Sequence, residues 1–156
     1  MLSLTRKTDY ALVALCHLAR RPAALSSARE IAETYSMPLP ILMNILKLLA
    51  RHGMVRSARG SRGGYGLAGE PAGINLHMII SAVEGPVRLF ACADADDGSG
   101  GCAHEGLCPI KWPARRLSGR FQAFLEGLSL AEIVADQNAP VFCPSHADCA
   151  VGVCQE

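Results

Sequence analysis

Residues 27–68 run SAREIAETYSMPLPILMNILKLLARHGMVRSARGSRGGYGLA, and the punctuation within this stretch decides the fold. Ser27 followed by Glu30 has the form of a capping box, in which hydroxyl and carboxylate reach each other's backbone amides, and Ile31 and Tyr35 continue on one face of a short helix. A turn at Ser36-Met37 follows. Pro38 and Pro40 suit the first turn of a second helix, where an amide has no partner to lose, and Ile41, Ile45, Leu48 and Leu49 predict a core stripe until Gly53 stops it. Short helix, tight turn, longer helix is helix-turn-helix order. Met54 to Arg59, the tip Gly60-Ser61-Arg62-Gly63-Gly64, and Tyr65 to Ala68 then predict a β-hairpin, a wing behind the helices. Upstream, Ala11, Leu15 and Leu18, with Leu12 and Ala19 beside them, recur at helical spacing from Thr8 to Arg20, and Pro22 ends that helix.

The face of the third helix opposite its stripe carries Met43, Asn44, Lys47 and Arg51, with Leu39 and Pro40 at its start. Asparagine suits adenine, and the cations suit guanine or phosphate, so these residues are candidates for reading a major groove. Any amphipathic helix shows polar residues opposite its stripe, so the wing adds the weight. Arg56, Arg59 and Arg62 run along it, where guanidinium groups can follow phosphates or enter a minor groove. A nucleotide-cradling loop is the rival for its glycines, but no Gly-Lys-Ser/Thr element accompanies them and no helix opens directly after them. Charge agrees with a polyanionic partner: residues 1–66 carry a net +7 and residues 67–156 a net −6, although the whole chain of 156 residues carries only +1.

Half of the residues are hydrophobic, which marks a folded chain with room for one core or a small domain plus a dimerisation element. No apolar run approaches the roughly 18–20 residues of a membrane span, and the opening residues lack a secretion signal's basic head and apolar run, so a cytoplasmic protein is expected. The seven cysteines are many for a reducing compartment, and their odd number leaves one unpaired, which turns attention to metal or redox chemistry. There is no CxxC pair, and no histidine or acid beside a cysteine gives a recognisable nucleophile arrangement, so an enzyme is not expected.

Behind the wing, Asn75 can cap a helix through Met78, Ile79 and Val83 to Gly85, with Pro86 preventing continuation. Further on, Ile110, Ala114, Leu117, Phe121, Phe124 and Leu128 alternate steps of three and four, the spacing of a seam between helices. Between the two lies CADADDGSGGCAHEGLC, residues 92–108, too rich in glycine and acid for a helix or buried strand. Cys92, Cys102 and Cys108 supply three thiolates from a loop, soft ligands suited to an iron-sulfur cluster. Structural zinc, redox-active thiols and cysteines without function stay open as alternatives, although zinc sites usually contain a closer cysteine pair. Cys16 reads as a small core residue. The expected organisation is a winged helix-turn-helix over 1–70, a cysteine loop and dimerisation helix over 71–137, and a tail over 138–156. The fold class is mainly α with a small β-wing and a long dimerisation helix.

The order LTRKTDYALVAL, the 27–68 stretch, INLHMIISAVEGPVRL, the cysteine loop and FLEGLSLAEIV resembles the Rrf-type winged-helix regulators, with their IscR-like and NsrR-like branches. In detail MPLPILMNILKLLARHG and CAHEGLCPIKW are most similar to the branch that controls iron-sulfur assembly genes. The resemblance implies a homodimeric DNA-binding transcription factor, a repressor in its simplest form. Its affinity for a palindromic operator would respond to an iron-sulfur cluster of two or four irons in the cysteine loop, sensing cluster status, redox state or nitric oxide. The IscR-like pattern places a histidine three residues after the last cysteine, where this chain has Lys111, a poor ligand. The NsrR-like pattern completes the cluster with an aspartate early in the first helix, and Asp9 occupies that place. His104 is the other candidate. The tail adds Cys143, Cys149, Cys154 and His146, for which a second metal, a missing ligand, oxidant sensing and no role all remain open.

Overall fold

The computed structural model of the chain describes residues 4–60, 63–90 and 107–135. Helices α1 (Arg6–Ala19), α2 (Ala28–Thr34) and α3 (Leu39–Arg51) are followed by strands β1 (Val55–Ala58) and β2 (Gly64–Leu67). A 3-10 turn (Pro71–Gly73) leads into α4 (Leu76–Glu84), and after the cysteine segment come α5 (Lys111–Gly127) and α6 (Leu130–Ala135). The fold is mainly helical with a small antiparallel wing, paired Val55 to Leu67 through Ala58 to Gly64.

Local chemistry explains most boundaries. Helix α1 begins at Arg6, earlier than Thr8, because Thr5 is its N-cap and the hydroxyl accepts from the Lys7 amide at 3.3 Å. Ser27 caps α2 by accepting from the Glu30 amide at 3.1 Å, but the box is only half closed. The Glu30 carboxylate pairs with Arg21 across the α1–α2 turn. Pro38 is the N-cap of α3, with Pro40 in the first turn, and Asn75 caps α4 through the Met78 amide at 2.9 Å. The helix-turn-helix corner is turned by Ser36 in the left-handed region at φ 53°, a conformation that costs a non-glycine residue about 1 kcal/mol.

One expectation about α3 is corrected. Its buried face is Leu42, Ile45, Leu46 and Leu49, all at or near zero exposure, whereas Ile41 is 40% exposed and Leu48 only half-buried. Eight of the first eleven residues of α3 are apolar, so two overlapping stripes share Ile45 and Leu49, and packing against α1 and α2 selects between them.

The core is built from α1 (Ala11, Ala14, Leu15, Leu18), α2 (Ile31), α3 and the wing's Val55, and it continues through Ile74, Ile79 and Ala82 to Leu130. Each fully buried Leu or Ile contributes about 1.5–3 kcal/mol relative to exposure. Leu130 is placed by a bridge between residues 75 and 129, in which the Leu76 amide donates to Leu128 O (2.9 Å) and the Leu130 amide to Ile74 O (2.7 Å). Ser129 and Glu132 close a reciprocal capping box: Ser129 N donates to the carboxylate at 2.8 Å, and Glu132 N to the hydroxyl at 3.2 Å. Helix α6 thereby returns the chain to α1, with α5 resting on α4. Cys16 is buried, and its burial pushes the thiol pKa up, as suits a core residue. No described helix is long and apolar enough to cross a membrane.

Candidate nucleic-acid interface and cysteine segment

Because the opposite face of α3 is sealed into the core, Pro40, Met43, Asn44, Lys47 and Arg51 are exposed along the helix, with Leu39 half-buried at its start. On the wing Arg56 and Arg59 are exposed, and Arg62 lies outside the described residues. Nothing acidic interrupts either row. A helix of 13 residues is about 20 Å long, enough for its first turns to enter a major groove while its basic end stays near the backbone.

The wing is anchored to the segment that enters α2. Ser26, just before α2, exchanges two hydrogen bonds with Tyr65 of β2: Ser26 N donates to Tyr65 O at 2.9 Å and Tyr65 N to Ser26 O at 2.8 Å. Gly64 permits this approach, since a Cβ there would stand 2.7 Å from Ser26 O and 2.9 Å from its carbonyl carbon. Behind Ser26 sits His17, 4% exposed, with Nε2 at 2.9 Å from the Ser26 hydroxyl and Nδ1 at 3.3 Å from the Tyr35 hydroxyl. Tyr35 also meets the imidazole edge to face, centroids 5.6 Å apart. Burial first, and then the Arg21 and Arg20 charges, hold the His17 pKa below the ordinary value, with Glu30 opposing. A neutral imidazole has one donor and one acceptor nitrogen, and so serves both hydroxyls. These contacts join α1, the end of α2 and the wing.

The start of α1 adds to the surface. Arg6, Lys7 and Tyr10 line, with Pro38, Ile41, Asn44 and Leu48, a groove of about 530 Å³ between α1 and α3. Both cations are exposed. Helical spacing that starts at Thr8 leaves both cations out of α1; Thr5 as N-cap is the signal that brings them into its first turn, beside the candidate face. The half-exposed Ile41 and Leu48 are explained by the same groove.

The cysteine segment leaves from the end of α4 and rejoins at Cys108, a free, half-buried thiol just before α5. Cys92, Cys102 and His104 lie outside the described residues, as do Cys143, His146, Cys149 and Cys154. Asp9 stands exposed on the first turn of α1. Among the described residues no three of His, Cys, Asp or Glu converge as a metal site. Where the segment rejoins, α5 opens with cations: Lys111 Nζ and Arg115 Cζ each stand 5.7 Å from the Trp112 ring centre. Of the expected seam, Ala114 is buried and Phe121 half-buried against the chain's own helices, whereas Ile110 (54%), Leu117 (50%) and Phe124 (61%) are exposed.

Comparison with known proteins agrees with this arrangement. Residues 4–136 match the Rrf2 family, described as iron-dependent transcriptional regulators. The chain is 31% identical over 137 residues to the HTH-type transcriptional regulator NsrR of Bacillus subtilis, covering 87% of this chain and 92% of that protein. It is 34% identical over 139 residues to the HTH-type transcriptional regulator IscR of Aliivibrio salmonicida, covering 86% and 79%. Among solved structures it is similar to IscR of T. potens (TM-score 0.66, 26% identity, 86% of this chain and 88% of that one). CymR, the global cysteine regulator of B. subtilis, is comparably similar (TM-score 0.65, 25% identity, 86% and 98%). With the basic face of α3, the anchored wing and these relatives in agreement, the chain belongs to the Rrf2 family of transcriptional regulators and is a DNA-binding regulator rather than an enzyme.

Proposed function

We propose that the chain works in the cytoplasm as a homodimeric repressor whose affinity for a palindromic operator is set by an iron-sulfur cluster bound through Cys92, Cys102 and Cys108. The observation that carries this reading is the position of Cys108. Its free thiol stands at the foot of α5, so whatever occupies the three thiolates acts directly on the helix that bears the exposed Ile110, Leu117 and Phe124. The donor set fits the group, because thiolates are the ordinary ligands of such clusters, and Asp9 or His104 supplies the remaining bond. When bound, the cluster supplies chemistry that responds to oxidants and nitric oxide.

The chain's own residues do the rest. The exposed apolar side of α5 packs on its twin across a two-fold axis, which sets two α3 helices about one DNA turn apart. Met43, Asn44 and Lys47 read base edges, with Leu39 and Pro40 fitting the entry to the groove. Arg51, Arg56, Arg59, Arg62, Arg6 and Lys7 follow phosphates. Reorienting α5 changes the spacing of the two reading helices, and a bias of a few kcal/mol is enough to switch occupancy.

The test is anaerobic reconstitution with iron and sulfide, followed by metal and sulfide analysis and operator titration. Bound iron and sulfide, with operator affinity changed at least tenfold by loading and the change abolished by Cys102→Ser, is the expected result. A colourless protein whose operator binding ignores Cys102→Ser refutes it. A second reading, redox-active thiols without a cluster, is favoured by the similarity to CymR, a global cysteine regulator. It predicts a response to peroxide that survives removal of iron. Structural zinc in the same loop is separated from both by the metal analysis.

A further inference from the structure

Glu84 is the last residue of α4, where a carboxylate faces the negative end of its own helix dipole and is locally unfavourable. It is held there by α1. The Thr5 amide donates to Glu84 Oε1 at 3.0 Å, the Thr5 hydroxyl donates to the same oxygen at 2.9 Å, and the Thr8 hydroxyl donates to it as well. Thr5 is the N-cap of α1 and Thr8 is fully buried. The carboxylate therefore lies against the positive end of α1 and stabilises it as an external cap. These hydrogen bonds, with the Lys7 charge assisting, hold the carboxyl below its usual range.

The location gives this clamp its meaning. The partners are 76 and 79 residues apart in sequence, and immediately after Glu84 the chain turns at Gly85 (φ 91°) into the segment that carries the cysteines. On the other side, the clamped turn of α1 bears Arg6 and Lys7, which share a groove with Asn44 of α3. Helix α4 is itself fixed in the core by Ile79 and Ala82, so its end is a firm point.

We propose that Glu84 is a positioning residue that couples the cysteine segment to the DNA-binding face, holding the first turn of α1, with Arg6 and Lys7, in register with α3. A change in the segment beyond Gly85 is felt at α3 through this clamp. The identity of that change rests on the cluster reading above; the positioning of Arg6 and Lys7 does not.

The test uses the full chain with Glu84→Gln, which keeps the size and loses the charge, and with Glu84→Asp as the conservative rescue. In metal-free protein, Glu84→Gln is expected to weaken operator binding about three- to tenfold. It also makes the plot of log affinity against log salt shallower by about one to two charges, as Arg6 and Lys7 leave their phosphates. In protein loaded with iron and sulfide, metal content stays parental while the ratio of loaded to metal-free affinity shrinks at least threefold. Glu84→Asp restores part of each effect. Parental affinity, salt slope and ratio in Glu84→Gln overturn the proposal. If the parent itself takes up no iron, the cluster reading falls, and the salt slope of metal-free protein alone decides the clamp. If Glu84→Gln does not fold, Thr8→Val removes one donor with little change of shape, and an unaltered slope and ratio there count equally against coupling.

Discussion

Replacing Gly64 by alanine tests whether the wing belongs to the DNA-binding face. The added methyl would stand 2.7 Å from Ser26 O and 2.9 Å from Ser26 C, both backbone atoms of the segment entering α2. Backbone cannot rotate aside, so β2 must withdraw, and withdrawal breaks the pair of Ser26–Tyr65 hydrogen bonds at 2.9 and 2.8 Å. At about 1 kcal/mol net for each bond the loss is about 2 kcal/mol. For a chain of 156 residues that corresponds to a fall in Tm of about 4–8 °C. The withdrawn wing also carries Arg56 and Arg59 away from the duplex, so the salt slope of operator binding should fall by about two charges. Thermal melts and fluorescence-anisotropy titrations at several salt concentrations measure both. Gly69→Ala is the control, since a Cβ there meets nothing within 4 Å. Parental melting and an unchanged salt slope in Gly64→Ala, with Gly69→Ala equally silent, refute the anchorage.

Other perturbations have outcomes of defined sign. Ser36→Gly relieves the left-handed strain at φ 53° and should stabilise the fold by a few tenths to about 1 kcal/mol, the glycine entropy cost offsetting part of the gain; chemical denaturation reads this. His17 has a native pKa below the ordinary 6.5, so the unfolded chain binds the extra proton. The stability it contributes is full above that value and is lost as the pH falls through the depressed native one. The difference in Tm between the parent and His17→Gln should therefore narrow between pH 7.5 and 5.5, and a constant difference removes the argument. Phe124→Glu places a charge in the proposed dimer seam, and sedimentation should find monomer with operator affinity reduced at least tenfold; an intact dimer places the seam elsewhere.

The fold was legible wherever a local rule closes within a few residues. Ser27 and Asn75 cap the helices their positions announced, Gly53 ends α3, and the glycine-flanked hairpin pairs as its sequence suggests. The phase of α3 was not legible. With leucine or isoleucine at 41, 42, 45, 46, 48 and 49, the period admits two faces, and only the neighbours choose Leu42 and Leu46 over Ile41 and Leu48. Helix α6 shows the opposite case: Ser129 and Glu132 form a complete capping box that is legible in the sequence, but a helix of only six residues offers no hydrophobic period beside it.

The candidate site divides along the same line. Asn44, Lys47, Arg51, Arg56 and Arg59 were readable because they lie on exposed faces of elements whose period is visible. Exposure alone does not make them one surface, since any amphipathic helix and any hairpin expose such residues. What joins them is non-local and polar: His17 bridging the Ser26 and Tyr35 hydroxyls, Ser26 paired to Tyr65, and Glu84 reaching back to Thr5 and Thr8. No hydrophobic period announces these contacts, because each residue is ordinary in its own neighbourhood. The cysteines are the converse, since three thiols in a glycine-rich acidic stretch stand out in the sequence while their spacing fixes neither a geometry nor one chemistry. A regulator needs both kinds of residue, the sensing groups that sequence makes conspicuous and the inconspicuous polar ties through which sensing reaches DNA. Glu84 is therefore the more discriminating place to probe the switch. Under the proposed coupling, a cysteine substitution removes the signal and its transmission together, whereas Glu84→Gln leaves the thiols in place and interrupts only the hydrogen bonds to Thr5 and Thr8.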